Sequence, residues 1–165
     1  MFCFSMTATA HALIGASIAS RIVNPIIGIP VAIASHFAAD LVPHWDAGTN
    51  HRKKTKLRLR TEAALDVLLG FALVMIIFRS FALNHPVYLF SMIISAQLPD
   101  WLEAPSWMFN LKVPPFSWMD FLSHKVQSRM QLPWGLVTQI VIVSFIVLLA
   151  LGGPGHLGQA FAARF

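Results

Sequence analysis

This sequence reads as an all-α, polytopic helical membrane protein with about five transmembrane helices. Of its 165 residues, 56% are hydrophobic and 12% charged, whereas a soluble domain carries about 25% charge. Apolar stretches of about 20 residues recur along the chain, each long enough to cross a hydrocarbon core about 30 Å thick. The basic residues gather in one segment, HRKKTKLRLR (51–60), lying between apolar runs. That placement accounts for much of the net charge of +5 and points to a membrane surface, so no nucleic-acid partner is expected. A single helical membrane domain over 1–165 is the expectation.

The first span is placed at 7–23 and the second at 25–42, joined at Asn24-Pro25, with proline suited to the first helical position. The N-terminal segment MFCFSMTATA lacks a basic n-region, so the first span is read as retained. The third span, 62–83, opens after Thr61 as N-cap with Glu62 in its first turn, where a carboxylate complements the helix dipole. The fourth covers 86–102 and begins at Asn84-His85-Pro86. The fifth covers 133–152, opening at Pro133 and stopped by the glycine- and proline-rich stretch at 152–155. Between the last two, apolar residues at Phe116, Met119, Phe121, Leu122 and Val126 recur with roughly helical period, which predicts an interfacial helix near 116–130.

Orientation follows from the basic loops. The 43–61 loop carries Arg52, Lys53, Lys54, Lys56, Arg58 and Arg60, and the 103–132 loop adds Lys112, Lys125 and Arg129. Under the positive-inside rule both loops are cytoplasmic and the C-terminus lies outside. The basic loop also suits anionic lipid headgroups, making membrane lipids expected partners.

With that topology, all the acidic residues fall at the cytoplasmic side. His11, His36 with Asp40, Asp66 and Asp100 lie on four separate spans at a similar depth. Intramembrane ionisable groups usually face the bundle interior and pair, and a bound cation relieves the conflict of packing these together. His36 and Asp40 are spaced i, i+4, so both project from one helical face and can grip one ion. Pro43 ends that helix, leaving His44 and Asp46 on an irregular segment to close over the same ion or supply a second site. Leu98-Pro99-Asp100-Trp101 repeats the pattern of a proline, a ligand-type residue and tryptophan at a helix end. With Cys3 the only cysteine, no thiolate set can form. Histidine and carboxylate ligands suit zinc first, with manganese or iron as alternatives, as one or more ions.

The pattern His36-x3-Asp40-x2-Pro43-His44 resembles the His-x3-Asp segment, followed by Pro and His, of the zinc-dependent phospholipase C and S1/P1 nuclease superfamily. The whole plan resembles the bacterial inner-membrane family of membrane-bound metal-dependent hydrolases, with His11, Leu98-Pro99-Asp100 and His124 in matching positions over about 9–135. The chain departs from the soluble enzymes in lacking an N-terminal Trp and a second His-x3-Glu pair. The resemblance implies a bacterial inner-membrane location, the metal ligands His11, His36, Asp40, His44, Asp100 and His124, and hydrolysis of a phosphoester or ester at the cytoplasmic interface, with a lipid as substrate. Asp46 or Asp66 would then serve as general base. The alternative is a non-catalytic accessory subunit of a larger membrane complex, with the polar cluster used for structure or for partner subunits.

Overall fold

The computed structural model describes residues 6–46 and 53–152. Cys3, Arg52 and the glycine-proline stop at 153–155 lie outside the described residues. Among the described residues seven helices follow one another: α1 (Ala8–Arg21), α2 (Pro25–Asp40), α3 (Lys56–Ile77), α4 (Arg79–Asn84), α5 (Pro86–Phe109), α6 (Phe116–Val126) and α7 (Trp134–Gly152). The described residues contain no β-strand, so the all-α expectation holds; the one extended pairing is a bridge between His44 and Arg129. By length and composition, α7 alone among the described helices is long and apolar enough to cross a membrane. The apolar helix α2 is shorter.

Local chemistry explains most boundaries. Thr7 opens α1, its side chain accepting from Ala10 N at 3.3 Å. Asn24 caps α2 by accepting from Ile26 N at 2.9 Å, ahead of Pro25 at the first turn. Several predicted boundaries move, and the expected span 62–83 breaks at Phe78 into α3 and α4. The cap of α3 is Thr55, which accepts from Arg58 N at 3.2 Å, while Thr61 lies inside the helix and donates to Leu57 O at 3.0 Å. α5 runs on past 102 to Phe109 through Pro99 and Pro105. A proline withholds one ladder hydrogen bond and crowds the preceding turn, yet packing against α1, α2 and α6 keeps this helix continuous.

The first helix is the hub. α1 packs against α2, α3, α5 and α7, and nine of its fourteen residues are buried, chiefly alanines flanked by Leu13, Ile14 and Gly15. Small side chains let neighbouring backbones approach closely. At Gly15 an added Cβ would lie 2.8 Å from both Ala96 Cβ and Met92 O, so glycine sets the α1–α5 spacing. At Gly70 the same addition would meet Thr9 Cα at 3.0 Å, fixing α3 against the start of α1. α3 and α5 thus both lean on α1 while scarcely touching each other.

Candidate metal site

The start of α1 is tied down from three sides. Asp66 of α3 accepts from Ala8 N at 2.6 Å, Thr9 N at 3.2 Å and Thr9 Oγ1 at 2.7 Å. Gln97 of α5 donates to Ala8 O at 2.8 Å, and Gln139 of α7 donates to Thr7 Oγ1 at 2.6 Å. The Asp66 bonds satisfy backbone donors that a helix N-terminus leaves open, and together the contacts fix the depth of His11, one turn further along.

There His11 meets the last turn of α2. Its ring stacks on His36 with centroids 3.9 Å apart and planes 20° from parallel. His11 Nε2 lies 3.4 Å from Asp40 Oδ1, and His36 Nε2 lies 3.4 Å from Asp40 Oδ2. All three residues are buried to within 1% of full occlusion. His36 Nδ1 stands 2.8 Å from Ala96 O; a carbonyl can only accept, so Nδ1 carries the proton and Nε2 presents its lone pair to the cluster. Met6 N donates to Asp40 Oδ1 at 2.7 Å.

The arrangement suits a metal ion on its donor chemistry. One donor atom from each of His11, His36 and Asp40 falls within 4.8 Å of the other two. Both ring nitrogens of His11 and Nε2 of His36 are buried without a hydrogen-bond partner, which is costly in a low-dielectric interior. A cation among them would take one lone pair from each ring and offset the Asp40 charge. The His36–Ala96 hydrogen bond is the outer contact that commonly fixes a metal-binding imidazole.

Other predicted ligands stand around this group at differing range. Asp100 Oδ1 reaches His36 Nε2 at 3.6 Å from the α5 side. His44 donates from Nδ1 to Val42 O at 2.7 Å, leaving Nε2 buried and without a hydrogen bond. Burial holds the His44 imidazole below the ordinary histidine range, as a neutral metal ligand requires. It lies outside the compact three-residue group. His124 is turned to its own helix, donating from Nδ1 to Asp120 O at 2.6 Å, and is not brought into the group.

The two candidate bases are treated differently. Asp66 uses both oxygens at the α1 N-terminus. Asp46 is 1% exposed and pairs with Arg129 across 3.7 Å. Its segment is clamped by the chain after α6: Ser128 N donates to Asp40 O, His44 N to Ser128 O, and Met130 N to His44 O. Gly135, at the start of α7, makes room for this clamp, since a Cβ there would lie 2.5 Å from Met130 O and 2.8 Å from Trp45 N.

Sequence reasoning missed Arg129, which was counted only as a topology charge, and the Ala96 carbonyl, for which no side-chain signal exists. Gln97 was visible as a polar residue inside an apolar run, three positions before Asp100. The chain matches no family model, no curated protein and no solved structure.

Proposed function

We propose that this chain is a membrane-embedded, metal-dependent hydrolase acting on a phosphoester or ester of a lipid at the cytoplasmic interface of a bacterial inner membrane. The observation that carries the reading is the buried His11–His36–Asp40 group, whose two Nε2 atoms converge on the Asp40 carboxylate without a hydrogen bond. The resemblance to membrane-bound metal-dependent hydrolases supports the same reading. In it, α1, α2, α3, α5 and α7 are the five spans. Large apolar side chains turned outward support this: Ile26 on α2, Ile76 on α3, Val87 on α5 and Phe145 on α7 are all more than half exposed. Apolar surface on this scale marks contact with lipid or a partner rather than with water.

His11, His36 and Asp40 would hold the ion, zinc in the first instance, with Asp100 and His44 nearest to complete its shell. A zinc ion so held supplies Lewis-acid activation of water near neutral pH. Both Asp46 and Asp66 border the open space between α3 and α5; Asp46 is the better placed base, because Asp66 is engaged by the backbone of α1, whereas Asp46 is oriented by Arg129. The Ala96 carbonyl keeps the His36 proton on Nδ1, so Nε2 stays a ligand rather than a donor.

Elemental mass spectrometry on detergent-purified protein tests the reading. Wild type is expected to carry stoichiometric zinc, manganese or iron, and the His36→Ala, Asp40→Ala double variant to carry none. Metal-free wild type purified without chelators would refute the site and favour the accessory-subunit alternative.

A further inference from the structure

Because α3 and α5 both pack on α1 but splay from each other, a cavity of about 470 Å³ opens between them. That size is within the range of small-ligand sites, about 300–1,000 Å³. Ala63, Ala64, Val67 and Leu68 form one wall, and Ala104 and Trp107 stand on the other; the alanines create the gap. Leu68 and Trp101 border it while being 65% and 49% exposed, so the cavity opens sideways onto the apolar surface. A ligand entering by that route comes from within the bilayer.

The two ends differ. Arg60 closes one, where it donates to Met108 O at 2.6 Å and lies over the Phe109 ring. Its Nε is buried and donates to no group. Leu68 and Gln97 close the other, roughly 12 Å further along α3 at 1.5 Å per residue. Between the ends the wall carries Asp100, the residue that reaches His36, and Glu103, which is 2% exposed with neither carboxyl oxygen hydrogen-bonded. Asp46 and Asp66 also line the cavity, but Asp46 pairs with Arg129 and Asp66 is engaged at the α1 N-terminus, so a largely apolar slot with Arg60 at its rim and polar groups midway matches an amphiphile with a negative head.

We infer that the α3–α5 cavity binds one acyl tail of an anionic membrane lipid, with the lipid's charged group at Arg60 and its polar junction beside Asp100 and Glu103. The assignment rests on the membrane reading above and deepens it by naming the substrate class. It places the bond to be cleaved next to the His11–His36–Asp40 group rather than at the outer rim.

Photocrosslinking tests it on the full chain in nanodiscs. The probe is a single-chain lysophosphatidic acid carrying a diazirine in its tail, with lysophosphatidylcholine of the same tail for comparison. Labelling is expected on the peptides holding Val67, Leu68 and Trp107, and is suppressed by excess unlabelled lysophosphatidic acid. Ala64→Trp and Ala104→Trp fill the slot and should each lower labelling about tenfold, while Arg60→Gln removes the preference for the anionic probe. Label spread over the outer faces of α2 and α7, insensitive to competitor and to both tryptophans, overturns the tail site. Equal labelling of wild type by the two probes overturns the anionic assignment. Metal content measured on the same samples separates the two readings: a metal-free protein that labels in the slot refutes the hydrolase alone, and a metal-loaded protein that does not refutes the tail site alone.

Discussion

His36 shows how one backbone contact sets the chemistry of a side chain. With Nδ1 committed to the Ala96 carbonyl, Nε2 faces His11, Asp40 and Asp100 as a lone pair, and any proton placed on it competes directly with a cation. Metal affinity at such a site falls on acidification, because the ligands must be deprotonated to bind. Each imidazole that must shed a proton to bind adds up to roughly a tenfold loss of affinity per pH unit. His11→Ala should weaken binding at neutral pH and flatten that slope, since one imidazole that competes with protons is removed. Competition against a zinc-chelating dye between about pH 7.5 and 5 measures it; retention that is flat across this range would show that histidines do not hold the ion.

At the scale of elements, the question is whether Asp66 is a base or a fastener. Its carboxylate accepts three hydrogen bonds from residues 8 and 9 and so holds α1, which carries His11, against α3. Asp66→Ala is therefore expected to cost roughly 1–3 kcal/mol, read as a lower thermal midpoint, with Asp66→Asn recovering part of it. Asp46→Asn should leave the midpoint nearly unchanged and lower turnover of a lipid ester by about 10²–10⁴. The reverse pattern would return the base to Asp66. These elements also show what the sequence could disclose. The His36/Asp40 pair was legible because the i, i+4 spacing is a property of the helix itself, and Pro43 did end α2 at Asp40. Pro99 carried the same local signal and was overruled, because α5 is gripped by α1, α2 and α6 and the loss of one hydrogen bond at Ser95 is small beside that packing. Thr61 was expected as the cap of α3, but Thr55 takes that place by accepting from Arg58 N. The stacking of His11 on His36 depends on Gly15 and Ala96 bringing α1 to α5, a tertiary distance that no single-helix pattern contains.

For the whole molecule, the arrangement makes a claim about sidedness. α3 begins at the basic 53–60 segment, and α5 returns to place Met108 O against Arg60, so both helix ends lie together while His85, between α4 and α5, lies at the far end of the same excursion. Lys54 and Arg58 each pair with Glu62, at 2.6 and 2.7 Å, so part of this basic segment is organised on the protein. If the bundle crosses the membrane five times with the metal group near the cytoplasmic surface, positions 53 and 85 must sit on opposite sides. In a Cys3→Ser background, Lys53→Cys and His85→Cys report this through a membrane-impermeant maleimide applied to intact cells and to inverted vesicles. His85→Cys should label in intact cells and Lys53→Cys only in inverted vesicles, because the positive-inside preference holds the lysine-rich end in the cytoplasm. Labelling of both positions from one side would mean that α3 and α5 form a hairpin that does not traverse the bilayer. The metal group would then open to a different compartment, and a lipid could no longer reach it sideways between those two helices.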